Sequence, residues 1–235
     1  MSRSFSSAVL NAADIGKLPL AVDIKPFSPR DGDLVADRDP AYLASVLETA
    51  GVCALSVVTE PEHFGGSLDL LRRVTDAVSL PVLRKDFITS AQQIDETIDA
   101  GAAAILLTVA TMPELEITGL YRRALSLGLE PLVEVHTESE LRFALGLVPR
   151  PAIIGINNRD ITALEKDDGD VGVTEELAPL VPAGVAILSE SSILSAEDAR
   201  RAFEAGAHAV LVGTAVLLAQ DPAACVRDFA GERDG

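Results

Sequence analysis

The chain has 235 residues, 48% of them apolar and 23% charged, the size and makeup of one domain with a substantial core. Aromatics reach only 4% and Trp is absent, so the interior must be aliphatic. A formal net charge of −17 opposes binding to nucleic acid or an anionic membrane, because such recognition needs positive charge. An anionic small ligand must then be met by a local cationic pocket.

Along the chain, apolar runs alternate with amphipathic ones. Strands are predicted near 20–25, 53–58, 81–85, 103–108, 131–135, 152–157, 185–189 and 208–212. Helices are predicted near 40–50, 67–78, 90–100, 113–127, 137–147, 174–180, 195–205 and 222–230. Ala50-Gly51-Val52, Ala100-Gly101-Ala102 and Ala205-Gly206-Ala207 mark three helix-to-strand handovers, where glycine serves the left-handed residue after a last helical turn. Strands such as AAILLT are nearly continuous apolar runs, as expected when both faces are covered, and βα alternation implies a parallel sheet. Eight such units favour closure, which leaves no edges, so the predicted fold is α/β, a single (β/α)8 TIM barrel spanning 1–235. No Gly-x-Gly-x-x-Gly turn follows the first strand, which argues against dinucleotide binding.

Three loops are longer than connection requires: 26–39, 59–66 and 158–173. Long loops in compact domains carry function, and the first, rich in Pro, Gly and charge, is expected to be a mobile lid.

In a parallel barrel every strand points its C-terminal end at one mouth, where catalytic groups converge. Lys25 and Lys85 end apolar strands. Burial and nearby cations would favour their neutral form and ready them for proton transfer or imine formation, the alternative being ion pairs with Asp23 or Glu134. Glu134 and Glu190 end two further strands and offer acid and base roles divided by environment, or simple charge compensation. Asn157-Asn158-Arg159-Asp160 can orient hydroxyls and clamp a carboxylate. Ser191-Ser192 and Gly213-Thr214 lie in the last two loops, where barrels bind phosphate, and Ser28 is expected to close that grip. His63, His136 and His208 lack ligand spacing, so they read as structural or surface residues and no metal is expected. The run Asp167-Asp168-Gly169-Asp170 reads as a solvated turn. Cys53 and Cys225 read as unrelated thiols. No apolar stretch is long enough to cross a bilayer, and the N-terminus lacks the pattern of a secretion signal, which predicts a cytoplasmic protein without membrane partners.

The motifs IKPFSP, SVVTEPEHFGGSL, PVLRKDFI, AAILLTVA, PLVEVHTESEL, IIGINNRDITALE, ILSESSI and AVLVGTAVL stand in this order. In that order they resemble the indole-3-glycerol-phosphate synthase family of tryptophan biosynthesis, from about residue 20 to 230. The resemblance implies a cofactor-free lyase that closes the indole ring of an anionic phosphosugar, 1-(2-carboxyphenylamino)-1-deoxyribulose 5-phosphate, with loss of carbon dioxide and water. It implies Lys85 as general acid, Lys25 as carboxylate holder and assistant, and Glu134 as the dehydration acid–base residue. Asn157 and Arg159 would orient the substrate, with Ser28, Ser191, Gly213 and Thr214 on the phosphate and Phe64, Phe87 and Leu107 as apolar walls. Three departures touch substrate contacts: Asp23 in place of Glu, Ser192 in place of Gly, and a short N-terminal extension that omits the helix covering the mouth. A divergent member acting on another amine-substituted deoxyribulose phosphate, or a non-catalytic phosphosugar-binding barrel, are the alternatives. A monomer or weak homodimer is expected.

Overall fold

The computed structural model describes residues 4–12, 14–35, 38–159 and 169–230. Its strands are β1 (Leu18–Ile24), β2 (Phe27–Ser28), β3 (Gly32–Asp33), β4 (Val52–Val58), β5 (Val82–Lys85), β6 (Ala104–Thr108), β7 (Glu130–Val135), β8 (Ile153–Asn157), β9 (Ala186–Glu190) and β10 (Ala209–Val212). All but the β2–β3 hairpin form one closed parallel barrel, with β1 joined to both β4 and β10. The eight-stranded (β/α)8 barrel inferred from the apolar runs is the fold.

Helices α2 (Pro40–Ala50), α3 (Leu68–Ala77), α4 (Ala91–Asp99), α5 (Glu114–Ser126), α6 (Glu138–Leu145), α7 (Gly172–Leu177), α8 (Ala196–Glu204) and α10 (Pro222–Ala230) follow the strands, with a five-residue α9 (Thr214–Leu218) inserted after β10. Most begin where a short polar side chain caps the free N–H groups: Asp39, Ser67, Ser90, Thr137 and Ser195 each accept from the first turn, which satisfies donors with no partner inside the helix.

Strand alternation sorts the side chains into two apolar clusters. Ile24, Val57, Leu107, Val133 and Ile156 face outward and pack among residues from the helices. Ala21, Leu83, Ala104, Leu132, Leu188 and Leu211 face inward. A helix the sequence reading lacked, α1 (Phe5–Leu10), closes this inner cluster, burying Phe5 and Val9 among the inward residues. Glu130, at the start of β7, accepts from the Ser6 N–H at 2.7 Å and the Ser4 hydroxyl at 2.9 Å. The N-terminal segment therefore plugs the end of the barrel opposite the strand C-termini.

The loop expected to be a mobile lid is, over its described residues, a docked hairpin. Phe27 N–H donates to the Phe64 carbonyl at 3.0 Å and Leu34 N–H to that of Pro26 at 2.8 Å, while Ser28, Leu34 and Val35 are buried. Of the loop after β8, residues 160–168 lie outside the described residues, and with them Asp160, Asp167 and Asp168.

Candidate active site

Register brings the polar strand ends side by side. Val58 pairs with Lys85, Thr108 with Glu134, and Asn157 with Glu190. The residues of alternate parity, Asp23, Lys85, Thr108, Glu134, Asn157 and Glu190, point inward as the uppermost layer of the barrel.

Lys85 is the hub. Its Nζ lies 3.1 Å from Glu190 Oε2 and 3.4 Å from Glu134 Oε2. Burial alone would discharge the ammonium, but the carboxylates of Glu134, Glu190 and Asp23 outweigh it and raise its pKa above that of a solvated lysine. This corrects the sequence expectation of a lysine neutralised by neighbouring cations: its neighbours are anions, which keep it protonated and so unsuited to forming an imine.

Glu134 shows the opposite balance. Burial pushes its pKa up, yet Lys85 and His136, with hydrogen bonds from Thr108 Oγ1 (2.9 Å) and Asn157 Nδ2 (3.0 Å), bring it down overall. Glu190, fully buried, is pushed up to about 7, by burial first and by repulsion from Glu134 and Asp23, against the pull of Lys85. Its Oε1 has no hydrogen-bond partner among the described residues. The proton affinities of the two carboxylates on one lysine are thus pushed apart, the kind of separation that lets acid and base roles be divided.

Two adjoining cavities open at this mouth and share Asp23, Lys25, Lys85, Arg159 and Ser191. The first is walled by Val58, Phe64, Phe87 and Leu106 and floored by Thr108, Glu134 and Asn157. Its apolar walls suit an aromatic ring. Lys25 Nζ sits 5.5 Å from the Phe64 ring centroid, a cation–π arrangement that keeps the charge at the cavity edge. The second is lined by Ser192, Gly213, Thr214 and Ala215, with small side chains that leave room for a compact anion.

Three expected site residues stand elsewhere. Leu107 packs outward in the helix-facing core and lines neither cavity, and Leu106 takes the wall position; a one-residue step along a strand reverses the face. Ser28 also lines neither cavity. It organises its own turn, accepting from the Arg30 and Asp31 N–H groups at 3.3 and 3.2 Å. Glu190 lies behind Lys85 rather than on a cavity wall. The remaining expected residues, Asp23, Lys25, Phe64, Lys85, Phe87, Glu134, Asn157, Arg159, Ser191, Ser192, Gly213 and Thr214, all border one cavity or both. Asp23 is buried, and its Oδ1 has no hydrogen-bond partner among the described residues.

Asn158, expected with its neighbours to orient substrate groups, lines neither cavity and shapes the site from behind, as do residues the sequence did not point to. Its Nδ2 donates to Ser189 Oγ and to the carbonyls of Glu190 and Ser191 (2.9–3.2 Å), while its Oδ1 accepts from the Thr174 N–H and hydroxyl at 3.0 Å. It fixes the chain as it leaves β9. Buried Arg84 donates to Thr59 Oγ1 and Asp86 Oδ2, both at 2.9 Å, so the loops carrying Phe64 and Phe87 share one anchor. Buried Glu60 accepts the N–H groups of Glu62, His63 and Phe64. Glu60, Glu62 and His63 also form a close trio of possible ligand atoms, but the Glu60 oxygens are already committed to those N–H groups.

A family model described as "Indole-3-glycerol phosphate synthase" matches residues 1–229. The protein of that name from Pyrococcus furiosus is 43% identical over 213 residues, covering 91% of this chain and 92% of its own length. Those of Thermococcus kodakarensis (42% over 222 residues; 94% and 93%) and Bordetella pertussis (41% over 220 residues; 94% and 82%) are similar throughout.

Proposed function

The chain belongs to the indole-3-glycerol phosphate synthase family, and on that premise we propose how its residues carry the reaction of a decarboxylating, ring-closing lyase. The substrate is the anthranilate-bearing deoxyribulose phosphate. Its aromatic half enters the cavity walled by Phe64, Phe87 and Leu106, with the phosphate among Ser191, Gly213 and Thr214. Lys25 and Arg159 hold the carboxylate, a bidentate task suited to a guanidinium.

Lys85 is the general acid. The aromatic carbon that bears the carboxylate attacks the ketose carbonyl carbon while Lys85 Nζ protonates the carbonyl oxygen. Carbon dioxide then leaves, and the electron pair of its broken bond restores the aromatic ring. In the dehydration, Lys25 donates a proton to the departing hydroxyl, and Glu134, held ionised by Lys85, Thr108 and Asn157, removes one from the neighbouring ring CH2. Two protons given and one taken leave one net proton consumed, matching loss of the carboxylate's negative charge. Asn157, bonded to Glu134, fixes the carboxylate's orientation.

The observation that carries this reading is the contact of Lys85 with two inward carboxylates, beside an apolar-walled cavity, in a chain matched to the family over nearly its whole length. Purified protein is expected to generate indole fluorescence from the anthranilate deoxyribulose phosphate. No fluorescence under conditions where a known synthase gives it would defeat the assignment. Among the described residues, no helix is long and apolar enough to cross a membrane. The reading extends to a cytoplasmic enzyme working as a monomer or weak homodimer, and sedimentation of the purified protein would test the oligomeric state.

A further inference from the structure

We propose that Ser192 is a positioning and binding residue that ties the two cavities together, its hydroxyl oxygen accepting from Arg159 while its O–H donates to the substrate phosphate. The inference rests on the phosphate-bearing substrate proposed above. Ser192 has φ of 56° and Ser191 before it 66°, the only non-glycine residues in the left-handed region among those described. There Cβ crowds the following carbonyl oxygen, so a side chain is strained where glycine is not. Such strain persists only where the surroundings over-determine it, and it concentrates at functional sites. Here Asn158 supplies the restraint, gripping the carbonyls of Glu190 and Ser191.

That grip fixes the direction of the Ser192 side chain. The residue is 5% exposed and borders the second cavity with Ser191, Gly213 and Thr214. Arg159 Nε donates to its Oγ at 3.2 Å. A hydroxyl carries one donor and two acceptor sites, so accepting from Arg159 leaves its O–H for an anion in that cavity. Because Arg159 borders both cavities, Ser192 aligns the guanidinium on one side and meets the phosphate on the other. Backbone strain is the cost of carrying a hydroxyl at this point.

Two variants separate hydroxyl from strain. Ser192→Ala removes the hydroxyl and keeps Cβ, whereas Ser192→Gly removes both. The readouts are KM and kcat with the anthranilate substrate, the dissociation constant of inorganic phosphate, and Tm. Both variants are expected to raise KM and the phosphate constant about tenfold, as for loss of a charge-assisted hydrogen bond, with kcat falling less than threefold. Only the glycine variant should gain in Tm, by about 2–4 °C. KM and phosphate affinity within twofold of the parent in both variants would overturn the proposal, as would a parent that does not bind phosphate. A parent that binds phosphate but does not turn over the substrate would defeat the functional reading alone, and the phosphate titration of the variants would still decide the role of Ser192.

Discussion

Replacing Glu190 by Gln keeps the shape of the buried side chain and removes its titration, and the consequence for stability can be worked out. The pKa of Glu190 in the fold is raised from the ordinary 4.5 to about 7. The folded state therefore holds the proton more tightly than the unfolded chain. The resulting stabilisation is fully present below pH 4.5 and is lost as pH rises through 7. A displacement of about 2.5 pKa units corresponds to about 3 kcal/mol, which for a chain of this size is about 6–12 °C in Tm. Thermal unfolding of parent and Glu190→Gln, followed by circular dichroism from pH 5 to 8, measures the difference. The variant is expected to gain on the parent by most of that amount between pH 5 and 8. A gap that stays constant over those three pH units would refute the account of two carboxylates competing for one lysine.

Lys85→Met should lower kcat by about 10²–10⁴, the usual worth of a positioned acid. It should also destabilise the fold by about 3–5 kcal/mol at pH 8, where Glu134 and Glu190 lose their counter-charge, and less at pH 5, both readable by steady-state kinetics and urea titration. Gly155→Ala would set a Cβ 2.2 Å from Glu190 Oε1 and 2.5 Å from Leu132 Cδ2. The expected outcome in urea titration is a loss of about 1–3 kcal/mol, together with reduced kcat as Glu190 is pushed off Lys85. Leu107→Ala should cost about 2–5 kcal/mol of stability and leave KM within twofold; a KM rise beyond that would return Leu107 to the cavity wall.

The barrel was legible because strands covered on both faces read as unbroken apolar runs, and several of those runs end in a residue no core would accept without a reason. Lys25, Lys85, Glu134 and Asn157 stood out on that ground, and they do meet at one mouth. The same lack of alternation hid direction: in Ala-Ile-Leu-Leu-Thr nothing marks which Leu faces inward, and only the pairing of Thr108 with Glu134 puts Leu106 on the cavity side. Charge environment was equally hidden. The anions around Lys85 come from β7, β9 and β1, far apart in sequence, so its protonation could not be read from its neighbours in the chain. Ser28 looked like a phosphate donor because of where its loop starts, yet a local turn claims its hydroxyl. Helix α1 is too short to give a periodic signal, and its apolar face makes sense only against the base of a closed barrel.

That base plate of α1 separates durability from chemistry. Phe5 and Val9 fill one end of the cylinder while the charged groups proposed to handle substrate line the cavity at the other, so the two ends can be altered independently. Trimming the first dozen residues would admit water to Leu83, Leu132 and Leu188 from beneath and slacken the whole cylinder. Conversely, tighter packing around Phe5 offers a route to heat resistance that leaves the catalytic rim untouched.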